Sequence, residues 1–221
     1  EFLFSVKQGD DGSTSQLIVV GPFTKLVKPL RAIPGDSSIK YYNSIDQRII
    51  YNTEENGRER GALLIGGSDE RSIPTVESIS IFPNDIVFGS YSAENALVFS
   101  SINAPENVRL TVKPDRNYPL LSPSVVRSAS GADTAYHVWK PVTLAGIVRV
   151  VGGGQTLVVE QPVQGSVDMF FSPDDKKLLI VAEDSTVDGL LGRKSFLVDL
   201  TSLEVVNITL PNSIASVIGW D

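Results

Sequence analysis

Short β-branched and aromatic runs recur from one end of this chain to the other, each closed by Gly, Pro, Asn, Asp or Ser. "SQLIVVG", "RIIYNTE", "ALLIGG", "DIVFGSYS", "AYHVWKP", "KLLIVAE" and "SFLVDL" are seven of them. No window of a dozen residues carries a sustained i, i+3, i+4, i+7 apolar pattern, which excludes a fold built on amphipathic helices. The chain is read as all-β. What remains is whether so many short strands build a sandwich, a barrel or a propeller.

A repeat separates these. Take "FFSPDDKKLLIVAED" (Phe170 to Asp184) as template and Asp175 as its mark. "KYYNSIDQRIIYNTEE" sets Asp46 in that place, with Tyr42 against Phe171 and Ile49-Ile50 against Leu178-Leu179. "RSASGADTAYHVWK" sets Asp133 there, with Tyr136 and His137 against the leucine pair, and "ISIFPNDIVFGSY" offers Pro83 and Asp85 with a shorter turn. The marks follow one another at 39, 48 and 42 residues, close to the roughly 40–45 of a four-stranded propeller blade. The template itself reads as one meander: "VDMFF", "KLLIVAED", "SFLVDL" and "LEVVNITL".

The chain ends fit the same scheme. Three strands ("FLFSVKQ", "SQLIVVG", "TKLVKPL") stand at the N-terminus with no first strand before them, and a lone strand, "SIASVIGWD", stands at the C-terminus. Placing Trp220 on Phe171 lets that last strand complete the first blade and remove its exposed edge. The expected fold is a single five-bladed β-propeller over 1–221, of four-stranded antiparallel blades. The blades are 1–31 with 213–221, then 36–74, 75–114, 118–163 and 165–210. A β-sandwich and a fragment of a larger ring are the alternatives.

"FSPDDKKLLIVAED…SFLVDLTSLEVVNITL" resembles the blades of TolB-like and WD-repeat-like bacterial β-propellers, in which "FSPDG" opens the second strand and a "DL-T-x-G" turn links the outer two. The resemblance is specific over 166–210; elsewhere it rests on spacing. Asp175 stands where the family has Gly, "TSLE" lacks the turn glycine, and the Gly-His and Trp-Asp signatures of true WD repeats are missing. The resemblance implies a propeller and an extracytoplasmic bacterial setting, periplasmic or cell-surface. It implies no single activity, because such propellers serve scaffolding, binding and catalysis.

Composition narrows the function classes. The formal net charge is −7 over 221 residues, and no Lys/Arg cluster is present to displace counterions from a phosphate backbone. Nucleic acid is therefore not an expected partner, and anionic membrane surfaces are disfavoured on the same ground. No apolar run approaches the roughly 20 residues that span a bilayer. Without cysteine there is no thiolate nucleophile or Cys-based zinc site. The opening "EFLFSV" has no initiator Met, basic n-region or cleavage site, and reads as an excised domain or mature product.

The motifs that could carry chemistry have simpler readings. Ser172-Pro173-Asp174-Asp175 suits a type I turn, whereas glycoside hydrolysis needs two carboxyls across a cleft. Asp174 and Asp175 are expected to hold a hairpin. His137, the single histidine, is expected to be a partly buried strand residue; one imidazole cannot build a histidine zinc site. "GDDGSTS" (Gly9 to Ser15) has the oxygen ligands of a weak calcium loop at Asp10 and Asp11, and equally those of a hairpin. "VGGGQT" (Val151 to Thr156) precedes a strand, so it lacks the helix N-terminus that cradles phosphate. Trp139, Trp220, Phe82, Phe171 and Tyr42 are expected to pack blade on blade. Asn207-Ile208-Thr209 matches a glycosylation sequon inside a strand, and Glu54-Glu55-Asn56 reads as a solvated turn.

Neither a catalytic residue nor a cofactor or metal site is assigned. The expected function is a non-enzymatic interaction or scaffold domain of a larger, envelope-associated protein, binding a protein partner through loops on a rigid frame. A lectin-like glycan binder is the second reading and a glycoside hydrolase the third.

Overall fold

The computed structural model describes residues 2–8, 14–21, 26–114, 116–141, 143, 146–152, 155–163, 167–184 and 192–208. Among them every regular element is a strand, and the strands form five antiparallel sheets in meander order. The first sheet has three strands, β1 (Phe2–Gln8), β2 (Thr14–Gly21) and β3 (Leu26–Pro34). The second has β4 (Ser38–Asn43), β5 (Arg48–Glu55), β6 (Arg58–Ile65) and β7 (Asp69–Ile73). The third has β8 (Ser78–Phe82), β9 (Asp85–Tyr91), β10 (Leu97–Ser101) and β11 (Val108–Val112). The fourth has β12 (Leu120–Arg127), β13 (Thr134–Trp139), β14 (Gly146–Gly152) and β15 (Gln155–Val163). The fifth has β16 (Val167–Phe171), β17 (Lys177–Asp184), β18 (Gly192–Asp199) and β19 (Val205–Ile208). The pairing expected of Ile214 to Trp220 beside Phe2 to Val6 lies outside the described residues. The chain divides into two compact units, Glu1–Ile79 and Ser80–Asp221.

In the first unit, alternation on β2 turns Ser15, Leu17 and Val19 inward. Leu17 and Ile33 pack on Ile49, Tyr51, Ala62 and Leu64 of the second sheet, with Tyr42 against the same core. The β5–β6 hairpin closes on Asn56-Gly57, with φ of 53° and 74°. A type I′ turn needs both residues left-handed, and Asn-Gly is the pair that supplies this at least cost. Tyr51 is buried; desolvation first, and the neighbouring Glu70 carboxylate second, push its phenol up to about 12. Glu70 is itself paired with Arg31 at 2.8 Å.

Asn52, also in β5, is 3% exposed, and its side chain behaves like a piece of strand backbone. Its Oδ1 accepts from the Val76 N–H at 2.9 Å, and its Nδ2 donates to the Val76 carbonyl at 2.9 Å and to Glu59 Oε1 at 3.0 Å. Thr75 Oγ1 donates to the Glu59 carbonyl at 2.9 Å. This pins the segment after β7 against the sheet with no ladder partner of its own.

In the second unit, two cores form where neighbouring sheets meet. Phe82, Val87, Leu97, Phe99 and Val112 of the third sheet pack with Leu121, Val125, Val138 and Ile147 of the fourth. Ala135, Val148 and Val150 of the fourth pack with Val167, Met169, Leu178, Ile180 and Phe196 of the fifth, with Phe171 against them. The central strands β13 and β14 of the fourth sheet thus give one face to each core: Val138 points one way and Ala135 the other.

The repeat register needs one correction. Phe171 pairs with Leu178 and Arg127 with Thr134, both 44 residues apart. Ser172 and Ser128 open identical turns. Each serine's N–H donates to the carbonyl of the residue five on, Lys177 or Asp133, and its Oγ accepts that residue's N–H at 2.9 or 3.0 Å. The counterpart of Asp175 is therefore Gly131 and not Asp133. Both are left-handed, with φ of 58° and 75°. Alignment by aspartate missed this because conformation, not charge, is what the position repeats.

Leu203 holds a left-handed backbone at a cost. In the β18–β19 turn Asp199 Oδ1 accepts the N–H groups of Thr201 and Ser202, both at 2.9 Å, and Leu203 then takes φ of 63° while 55% exposed. A Cβ in that region costs about 1 kcal/mol relative to glycine. Leu203→Gly is expected to raise stability by about 1 kcal/mol, less a small gain in unfolded-state entropy. Asn52→Ala, which strands both polar groups of Val76, is expected to lower it by about 2–4 kcal/mol. Urea unfolding midpoints of the two variants test both.

Candidate functional site

The best-defined polar assembly lies where the β12–β13 and β16–β17 turns of the second unit meet. Both are short loops between buried strands, and serine Oγ atoms substitute for missing ladder bonds in each. Asp174 completes its own turn: it accepts the Ser172 hydroxyl at 2.6 Å and the Lys176 N–H at 3.2 Å. Those bonds, the serine first, hold its carboxyl below the usual carboxylate range.

Asp175 does something else. Its left-handed backbone aims the carboxylate at the adjacent sheet's turn, where it accepts the Ala129 N–H at 2.7 Å and the Ser130 N–H at 2.8 Å. Two consecutive backbone donors make a small anion-binding concavity, and Asp175 fills it. Burial on its own would push this carboxyl up; the combined bonds from Ser130, Ala129 and Ser128 outweigh that and hold it down. The expectation that Asp174 and Asp175 together hold a hairpin is thus half right. Asp174 does so, while Asp175 ties one sheet to the next.

The third turn of this cluster is Pro83-Asn84. Arg127 Nε donates to the Gly131 carbonyl at 2.9 Å, and the guanidinium sits 5.6 Å from the Phe82 ring centroid. Asn84 takes φ of 61°. Just before it Ile81 is 81% exposed, on the face of β8 opposite the buried Phe82. In the first unit the β4–β5 turn carries a comparable residue. Asn43 Oδ1 accepts the Ile45 N–H at 2.9 Å, and Ile45 is 93% exposed. Strict alternation from Phe82 would have exposed Ile81 in the sequence; nothing there marked Ile45, whose exposure comes from the side-chain-bonded turn.

The remaining singled-out residues fall apart from one another in role. Asp46 pairs with Arg48 at 3.3 Å, and Asp85 accepts Arg109 Nε at 2.8 Å and Ser101 Oγ at 3.0 Å. Asp133 lies against Gly152, where a Cβ would overlap its carboxylate. The four repeated aspartates share no common function. His137 is fully buried at 2% exposure, not partly buried as expected, because β13 is central and covered on both faces. Asn207 is exposed on β19, an outermost strand. Asp10, Asp11 and Trp220 lie outside the described residues, as does the middle of Val151 to Thr156. Glu54 to Asn56 are exposed beside an open groove that Glu55, Asn56, Arg58, Glu59 and Arg60 line. Among the described residues no cluster of three or more His, Cys, Asp or Glu is disposed around a metal position.

No family model and no curated protein matches the chain. Solved structures do match. TolB from Acinetobacter baumannii superposes with a TM-score of 0.51 at 10% identity, over 89% of this chain and 51% of that one. The β-propeller domain of the Trilobed protease from Pyrococcus furiosus gives 0.55 at 11% identity, over 93% and 67%. A eukaryotic initiation factor gives 0.58 at 11% identity, over 92% and 51%. The chain spans about half the length of the TolB and initiation-factor chains. These likenesses establish the fold as TolB-like and propeller-type.

The Asp175 tether generates a test. Asp175→Ala is expected to cost about 2 kcal/mol, the value of two charge-assisted backbone bonds on a partly exposed group. Asp175→Gly relieves the left-handed strain and is expected to remain destabilised, by about 1 kcal/mol. Asp174→Ala is expected to cost less than Asp175→Ala. The wild-type contribution is present above the usual carboxylate range and is lost as pH falls through the lowered value of Asp175. Denaturant midpoints of the three variants at pH 7 and pH 3 read both effects.

Proposed function

We propose that this chain is a non-enzymatic propeller domain that docks a protein partner through its locked turns, within a larger, envelope-associated bacterial protein. The observation that carries the reading is the presentation of Ile81 in the second unit. It is 81% exposed beside Phe82, whose ring centroid lies 5.6 Å from the Arg127 guanidinium. A partner gains an aliphatic anchor whose ordering entropy has already been met. The envelope setting is what the TolB-like pattern over 166–210 implies.

A glycan-binding reading receives less support. It calls for an exposed aromatic with an aspartate or asparagine in each repeat, whereas Phe82 is buried, Tyr42 and Phe171 pack on cores, and the aspartates serve unlike roles.

Ile81→Ser is expected to change folding stability by less than about 0.5 kcal/mol, as surface substitutions do. It is expected to weaken partner capture tenfold or more, the loss of a buried aliphatic anchor. The measurement is quantitative capture from source extract on immobilised wild type and variant. A protein held equally by both, or by neither, sinks the reading.

A further inference from the structure

His137 is the chain's single histidine, and it is 2% exposed. The register sets it opposite Val148 of β14. It therefore shares a face with Ala135 and Val148 and projects into the layer completed by Val167 and Met169 of β16. Neither ring nitrogen has a hydrogen-bond partner among the protein atoms. Gly146 makes the space, since a Cβ there would overlap Nε2. On the other flank the β12–β13 register jumps between Leu121 and Val125, so Ser122, Pro123 and Ser124 fall out of pairing alongside His137.

Among the described side chains of β12, β14 and β16 no carboxylate faces the ring. On β14, Arg149 lies on the opposite face from Val148; on β16, Asp168 is exposed on the opposite face from Val167 and Met169. On β12, Arg127 is occupied at the Gly131 carbonyl and the Phe82 ring. Burial is the single cause that lowers the imidazole to about 4.

We propose that His137 is a proton-operated release within the second unit: on acidification, protonation of this ring separates β13 and β14 from the β16–β19 sheet, while the first unit, which has no histidine, stays folded. An imidazolium at a position 2% exposed, with neither nitrogen hydrogen-bonded, is heavily penalised, so the charged form is accommodated by opening. The sign follows from the two proton affinities. The closed state holds the ring neutral down to about 4, whereas the opened state binds a proton from about 6.5 downward. The penalty is absent above 6.5, grows as pH falls, and is complete near 4. Across that window the closed-to-open ratio falls by about a hundredfold.

Because there is one histidine, its ring proton can be followed by NMR without assignment ambiguity, together with amide exchange corrected for intrinsic rates. The expected result is a ring signal that does not titrate between pH 7.5 and 5.5. Over the same range protection should fall for β13 and β14 amides while β5 and β6 hold theirs. In His137→Gln and His137→Leu the loss of protection between pH 6.5 and 4.5 is expected to vanish. A ring that titrates near 6.5 with protection unchanged overturns the proposal. So does an equal acid loosening in either variant, which would assign it to carboxylates. If both variants fail to fold, the wild-type ring titration still decides.

Discussion

The fourth sheet has two faces, and neither is left to water. Val138 and Ala135 stand three residues apart on one strand, on opposite faces, and belong to different cores. A central strand of that kind is stable only while neighbouring sheets cover both sides. Each fully buried aliphatic or aromatic side chain contributes on the order of 1.5–3 kcal/mol, and the two cores of the second unit are made wholly of residues contributed by pairs of sheets. Hydrogen-bonded ladders shape each sheet; the shared cores hold sheets together.

That dependence gives the turns their importance. Apolar faces alone do not fix how one sheet is set against the next, because burial is non-directional. The Asp175 carboxylate on the Ala129 and Ser130 N–H groups supplies direction. So does Asn52 on both polar groups of Val76 in the first unit. Each uses one polar side chain to stand in for a ladder that does not exist between separate sheets or segments. Strain is accepted for the purpose: Asp175 keeps φ of 58° where glycine would sit without cost. Leu203, at φ of 63°, shows the same strain with no polar bond of its own side chain to offset it.

The same packing frames the functional reading. Turns fixed from below can hold Ile81 out in solvent, and a rigid exposed anchor is worth more to a partner than a mobile one. His137 is the inverse case, a polar group held inside by strands that cannot open singly. Recognition and proton sensitivity would thus use the surface and the interior of one construction.

Strand positions, the meander order and the propeller-type architecture were legible in the chain by itself, because alternation and turn residues are local signals of period two. Asp174 was legible for the same reason, since Ser-Pro-Asp-Asp specifies its own turn. The role of Asp175 was not, because its partners stand 45 and 46 residues away and the signal it shares with Gly131 is a backbone angle, which no letter spells. The burial of His137 depends on Gly146 and on sheets to either side. Local chemistry decides which segments become strands and turns. Only the stacking of sheets decides which of their side chains meet, because it joins residues through space that the sequence keeps a whole repeat apart.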